Sequence, residues 1–200
     1  MNSFKFKNKG FSLIELIVVV GVTSLVGLAV VSFAQDTLRN NRFIGNALFA
    51  DQEALKVIRI MSGELRSAGP SAGGAYALSS IGGSDLTFFS DGDGDGVREQ
   101  IRYYINGDTL QKDVIKPSGN PPLYNGTLYT YKLIQGITAT STNIFAYYGS
   151  NYAGTTSALS FPVDPQAVRL IKVTLSIARA NQSPISVTTQ VSVRSLKDNL

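Results

Sequence analysis

An uncharged apolar run near the N-terminus constrains this chain more than any other feature. The run extends from Leu16 to Ala34, which is 19 residues without a charged side chain, and its only polar members are Thr23, Ser24 and Ser32. A helix rises about 1.5 Å per residue, so the run covers roughly 28 Å, close to the thickness of a bilayer's hydrocarbon core. The sequence therefore predicts one transmembrane helix.

A cleaved secretory signal is the alternative interpretation of this run. Ser32-Phe33-Ala34 offers a small-x-small site for signal peptidase, but the apolar core of a secretory signal usually has only about 7 to 15 residues. The greater length favours a retained anchor. Lys5, Lys7 and Lys9 precede the run, and because cytoplasmic flanks are rich in Lys and Arg, we expect the leader inside the cell and residues 35–200 outside.

Composition excludes several classes of function. The chain has 18 Lys and Arg against 14 Asp and Glu, and three of the basic residues are the leader lysines. The remainder is nearly neutral, so we expect no basic face for nucleic acid. With no Cys and no His, the chain can form no Ser/His/Asp triad, thiolate nucleophile, Cys/His zinc site or disulfide. We expect a non-enzymatic protein; the alternative is a membrane-anchored enzyme that acts through carboxylates.

A short motif marks the start of the apolar segment. The basic leader ends in Gly10, and Glu15 is the fifth residue after it. A carboxylate costs on the order of 3 kcal/mol at mid-membrane and less near the end, so Glu15 predicts a function. The plain alternative is a carboxylate at the headgroup boundary of an ordinary anchor. The stretch Lys9-Gly10-Phe11-Ser12-Leu13-Ile14-Glu15-Leu16 resembles the class III signal of type IV pilins and type II secretion pseudopilins.

The resemblance implies a route of processing and assembly. In this family a prepilin peptidase cuts after the glycine, here between Gly10 and Phe11, and methylates the new amino group, here that of Phe11. The family's Glu, here Glu15, neutralises the N-terminal amine of a neighbouring subunit, and two such charges in a low dielectric are tolerable only together. The implied partners are prepilin peptidase, other pilin or pseudopilin subunits, and an assembly platform in the cytoplasmic membrane. The implied location is that membrane, as a single-pass protein, and then a periplasmic or cell-surface filament.

The rest of the sequence predicts an α+β protein, in which a long N-terminal helix packs on an antiparallel β-sheet head. Apolar residues recur at helical spacing as far as Arg66, and Gly69-Pro70 is a helix stop. The predicted apolar face consists of Ile44, Leu48, Leu55, Ile58, Met61 and Leu65. The predicted division is a leader at 1–10, a transmembrane half-helix at 11–34, an amphipathic half-helix at 35–68 and a head at 69–200.

Alternation of apolar and polar residues predicts the strands of the head. The strand candidates are 85–90, 98–105, 109–115, 144–148, 171–177 and 185–193. Asn106-Gly107 predicts a primed hairpin turn into the strand at 109–115. Residues 69–84 and the Pro-containing segment 116–130 are predicted loops. The last two strands are predicted to form an antiparallel pair joined around 181–184.

Parts of the head resemble the minor pilins and pseudopilins with large heads, the PilW-like and GspJ-like proteins. The similar stretches are Glu64-Leu65-Arg66-Ser67-Ala68-Gly69, the strand and Asp/Gly loop at 85–96, and the late strand at 168–176. Some relatives carry a head disulfide, which this cysteine-free chain lacks. The implied function is a structural minor pilin or pseudopilin of a type IV pilus, a type II secretion system or a competence pseudopilus. The alternative is a tip adhesin or DNA-uptake pilin whose head binds a ligand.

The loop at 91–96 is a candidate metal site. Asp91, Asp93 and Asp95 alternate with glycines, as in the first half of an EF-hand calcium loop. The twelfth position, which needs a bidentate Glu, is Arg102, so a complete EF-hand is excluded. Glu99 lies at the ninth position and can ligate directly or through water. The loop is therefore either a Ca²⁺ site formed by these four carboxylates or a solvated turn of the kind that Asp and Gly favour.

Several of the nine Tyr fall within residues 124–152. They offer a stacking surface for a sugar or single-stranded DNA, although Tyr in a strand usually packs half-buried. Lys132 is the main basic residue near them in the sequence. This scarcity of positive charge disfavours DNA as a ligand.

Overall fold

The computed structural model describes Gly10, residues 12–138, 143–179 and 182–193, and Ser195; side chains are described for all of these except 40–50, 179 and 182. The predictions made for Lys5, Lys7, Lys9 and Phe11 fall outside the described residues and stay predictions. Contacts divide the chain into two compact units, Met1–Ala47 and Leu48–Leu200.

A single α-helix, α1, covers Leu13–Ser67. Ser12 caps it, because the Ser12 Oγ accepts a hydrogen bond from the backbone N of Glu15 at 3.3 Å. The segment Leu13–Arg39 is long and apolar enough to cross a membrane, and none of its residues is buried within the chain. The hydroxyls of Thr23 and Ser24 donate to backbone carbonyls of the preceding helical turn, at 2.8 and 2.7 Å, so neither is left unpaired in an apolar environment.

The helical part of the second unit is amphipathic, as predicted, but its buried face differs from the predicted one. The buried apolar residues of this part are Ala54, Val57, Ile58, Met61 and Leu65. Leu55 is 51% exposed, so its predicted place on this face is wrong. The side chains of Ile44 and Leu48 lie outside the described ones.

The head contains two antiparallel sheets, which confirms the predicted α+β class. The first sheet consists, in spatial order, of β1 (Leu78–Ile81), β2 (Asp85–Ser90), β3 (Glu99–Asn106), β4 (Thr109–Ile115) and β5 (Leu128–Gln135). The second consists, also in spatial order, of β6 (Phe145–Tyr148), β7 (Leu170–Arg179) and β8 (Gln182–Ser192). A short 3₁₀ helix at Pro165–Ala167 precedes β7. Buried apolar side chains of the helix and of both sheets form one core.

Most predicted strands are present, with four differences. Strand β1 lies within the predicted loop 69–84, and β5 begins within the predicted loop 116–130. Residues 182–184 belong to β8, where Gln182 pairs with Arg179, so the predicted connection at 181–184 extended too far. Asn106 is the last residue of β3 and pairs with Thr109, so the two residues of the hairpin turn are Gly107 and Asp108.

Candidate functional sites

The Asp/Gly loop connects β2 to β3, and hydrogen bonds from its own backbone close it. The two oxygens of Asp91 accept from the backbone N of Gly94 at 2.7 Å and of Gly96 at 3.0 Å. Asp95 Oδ1 accepts from the backbone N of Val97 at 2.8 Å. Gly94 and Gly96 adopt φ angles of 79° and 86°, which cost glycine little. The alternating Asp and Gly residues therefore form a compact turn that holds several carboxylates close together.

The structure brings three of the four predicted ligands together. Asp91, Asp93 and Glu99 each place one carboxylate oxygen within 4.8 Å of the others. Asp95 lies outside this group of three. Glu99 is only 2% exposed, and its Oε2 accepts from the backbone N of Gly92 at 2.9 Å. Its Oε1 is buried and accepts no hydrogen bond from any residue that the structure describes.

Lys116, which sequence analysis did not identify, lies among these carboxylates. Its Nζ is 2.5 Å from Asp93 Oδ2, 3.1 Å from Asp95 Oδ2 and 3.7 Å from Glu99 Oε1. The hydrogen bond from Lys116 lowers the pKa of Asp93 below its ordinary value, and the hydrogen bonds to Asp93 and Asp95 raise the pKa of Lys116. The side chains of Lys116, Asp93 and Asp95 are about half exposed, so these ion pairs contribute little to folding stability.

A second charged cluster lies where the helix of the second unit packs on the first sheet. The Tyr103 hydroxyl donates to Glu64 Oε2 at 2.5 Å, and Lys112 Nζ lies 2.5 Å from Glu64 Oε1. Tyr103 is fully buried, and the side chains of Glu64 and Lys112 are only 10% and 15% exposed. Burial, and then the charge of Glu64, raise the pKa of Tyr103 far above its ordinary value. Tyr103 therefore stays protonated, and both oxygens of Glu64 are engaged in binding the helix to the sheet.

A cavity of about 530 Å³ lies between these two clusters. Its lining includes Tyr129 and Tyr131, each 51% exposed, together with Lys112, Lys116 and Lys132. Strand β4 lies beside β5 and contains Lys112, and Lys116 directly follows its last residue. These two lysines, distant from the tyrosines in the sequence, therefore join Lys132 beside them in space. Lys112 and Lys116 each have a carboxylate partner.

The sequence-predicted residues of the N-terminal motif lie at the start of α1. Gly10 and Glu15 are both exposed. The Ser12 cap uses the backbone N of Glu15 and leaves its carboxylate unengaged. Within the described part of the chain, that carboxylate has neither a hydrogen-bond nor an ion-pair partner.

Comparison with protein families concerns this same segment. Residues 5–31 match the family model described as the prokaryotic N-terminal methylation motif. The N-terminus is the class III signal of type IV pilins. A search of the curated proteins finds no match to the chain.

The methylation motif indicates a type IV pilin-like or pseudopilin precursor. It points to a structural subunit rather than an enzyme, and it implies processing by prepilin peptidase and assembly with other pilins in a membrane. The exposed apolar helix Leu13–Arg39 is consistent with the membrane anchor of a pilin. The match identifies the signal and does not resolve a particular type of minor pilin.

Proposed function

We propose that the chain is a minor pilin or pseudopilin, a structural subunit that assembles into a filament through its N-terminal helix. The observation that carries this proposal is the combination of the methylation motif with the apolar segment Leu13–Arg39, which buries none of its residues within the chain. Apolar side chains exposed over such a length require lipid or another protein around them. A pilin-like subunit meets both environments, first the membrane and then the filament.

Processing would expose the amine that assembly needs. Prepilin peptidase cuts between Gly10 and Phe11 and methylates the amino group of Phe11. The described helix begins at Leu13, three residues after Gly10. Residues 1–10 are then the leader, residues 11–34 the transmembrane half of the helix, residues 35–68 its amphipathic half and residues 69–200 the head outside the cytoplasm.

Glu15 is proposed as the residue that pairs with the N-terminal amine of a neighbouring subunit. Its carboxylate is exposed, it is surrounded in sequence by apolar residues, and it has no partner in the described part of the chain. A carboxylate in lipid is costly, and an opposite charge from outside the chain removes much of that cost. No described residue thus occupies the position that a neighbour's amine would fill.

Exchange of Glu15 tests this function. Glu15→Ala should still insert and be cleaved, because the substitution makes the segment more apolar, but it should be lost from sheared or purified filaments. Glu53→Ala is the matched control, since it removes an exposed carboxylate from the same helix beyond the apolar segment, and it should enter filaments normally. Normal incorporation of Glu15→Ala would refute the pairing role.

A head that binds a ligand at the filament tip is the alternative, and the cavity beside β5 supports it. Its volume of about 530 Å³ lies within the roughly 300–1,000 Å³ range of small-molecule sites. Tyr129 and Tyr131 line it and are each 51% exposed, so their rings are accessible for stacking on a sugar ring. Binding to a glycan array that disappears in Tyr131→Ala, but persists in Thr130→Ala on the same strand, would favour this function.

A further inference from the structure

We propose that the loop between β2 and β3 binds Ca²⁺ where Lys116 meets its carboxylates, so that the ion and the lysine compete for the same oxygens. Asp91, Asp93 and Glu99 are the protein ligands, and Asp95 lies beside them. The inference rests on the head alone and is independent of the proposed role in a filament.

The spacing of the carboxylates fits calcium. One oxygen each from Asp91, Asp93 and Glu99 lies within 4.8 Å of the others. Calcium binds oxygen at about 2.3–2.6 Å, so two ligands on opposite sides of it are roughly 4.6–5.2 Å apart. Calcium also accepts flexible geometry from carboxylate oxygens, whereas magnesium demands near-ideal octahedral geometry and usually keeps several waters. The group can therefore surround Ca²⁺ with little movement.

One carboxylate oxygen of Glu99 is buried and lacks a hydrogen bond. Glu99 Oε1 has no hydrogen-bond partner among the described residues, and Lys116 Nζ, at 3.7 Å, is beyond hydrogen-bond distance. A buried charged oxygen that accepts no hydrogen bond is costly. Because this oxygen faces the same lysine as Asp93 does, a cation bound there would satisfy it.

Charge also favours exchange of the lysine for a divalent ion. Asp91, Asp93, Asp95 and Glu99 carry four formal negative charges at neutral pH, and Lys116 is the cation that contacts three of them. Carboxylates this close repel one another, and a divalent ion screens them more than an ammonium does. Lys116 is 51% exposed, so it can move into solvent while the ion enters through the adjoining cavity, which Asp93, Glu99 and Lys116 all line.

The test is a titration of the full-length protein in nonionic detergent with CaCl₂, followed by calorimetry and by the melting temperature of the head. NaCl of equal ionic strength and MgCl₂ are the salt controls. The decisive variant is Lys116→Gln, which removes the competing charge from an exposed side chain. Asp93→Asn removes one ligand, and Asp108→Asn removes an exposed carboxylate from the opposite end of the same hairpin as the matched control.

We expect Lys116→Gln to bind Ca²⁺ about tenfold or more tightly than the natural chain, whose dissociation constant should lie at roughly 10⁻⁴ to 10⁻³ M. Asp93→Asn should weaken binding about tenfold, and Asp108→Asn should leave it unchanged. The proposal is overturned if Lys116→Gln binds no Ca²⁺, which would make Lys116 a permanent counterion. It is equally overturned if Lys116→Gln and the natural chain bind Ca²⁺ with the same affinity.

Discussion

Replacement of Glu64 by Leu should strongly destabilise the head. The substitution removes the acceptor for both the Tyr103 hydroxyl and the Lys112 ammonium. Removal of one partner of a buried ion pair costs about 3–5 kcal/mol, and a buried hydroxyl left unpaired costs about 1–3 kcal/mol. Lys112 keeps 15% of its side chain exposed and lines the cavity, so it can regain some hydration. We therefore expect a loss of about 4 kcal/mol from a typical domain stability of about 5–15 kcal/mol.

The loss should be largely reversed by a second substitution. In Glu64→Leu/Lys112→Met the uncompensated ammonium is gone, and apolar replacements for buried ion pairs are often close to neutral. The double variant should therefore be at least about 2 kcal/mol more stable than Glu64→Leu. Adding Tyr103→Phe should recover about 1 kcal/mol more, because the unpaired hydroxyl is removed.

Urea unfolding of the full-length protein in nonionic detergent measures these differences. The chain has nine Tyr and no Trp, so the near-ultraviolet circular dichroism of tyrosine is the probe, and linear extrapolation gives the free energy of unfolding. If the effects of Glu64→Leu and Lys112→Met simply add, the three groups do not act as one buried cluster and the reasoning is wrong.

Three further outcomes are expected. The stability of the head should fall above pH 10. Tyr103 ionises at its ordinary pKa of 10.0 in the unfolded chain but stays protonated in the folded one. When urea unfolding is repeated at increasing pH, Tyr103→Phe should reduce the loss of unfolding free energy by up to about 1.4 kcal/mol per pH unit. Met61→Ala should cost about 2–5 kcal/mol, whereas Leu55→Ala, at an exposed position, should change stability by less than about 0.5 kcal/mol, and equal losses would contradict the observed helix face. A reporter enzyme that works only outside the cytoplasm should be active when fused after Leu200, and activity of a cytoplasmic reporter at that position would refute the predicted orientation.

The N-terminal segment and the α+β class could be predicted because their signals are local. The charge-free run from Leu16 to Ala34 requires only hydropathy and length, and Gly10 and Glu15 stand at fixed distances from it. The strong alternation in β7 and β8 likewise predicts strands without knowledge of tertiary contacts.

Whether the contact of Lys116 with the acidic loop could be predicted depended on the position of the turn between β3 and β4. If Asn106 and Gly107 were the turn residues, counting outward along the hairpin would place opposite Glu99 the residue that comes two positions before Lys116. In the structure Gly107 and Asp108 form the turn, with Gly107 at a φ of 65°. The same count then brings Lys116, the residue after β4, opposite Glu99, the first residue of β3. Because the predicted turn was shifted by one residue, the sequence did not predict that Lys116 contacts the acidic loop.

Strand β5 was missed for a different physical reason. Three prolines between residues 116 and 122 favour a loop. Among the described strands, β5 pairs only with β4 and lies at the edge of its sheet. Five consecutive residues, Leu128 to Lys132, are exposed, so no burial on one face imposes the alternation that strand prediction uses. The cavity beside Tyr129 and Tyr131 was therefore not predictable from the sequence.

Mass spectrometry of the N-terminus of the protein from its membrane tests the central claim most directly. Processing as a pilin-like precursor predicts a mature chain that begins at Phe11 and carries one methyl group on its amino nitrogen. A Gly10→Val variant should keep its leader, because the residue before the cleaved bond then carries a branched side chain. A natural chain that begins at Gln35 would show cleavage by signal peptidase after Ala34, and it would contradict assembly through the N-terminal helix.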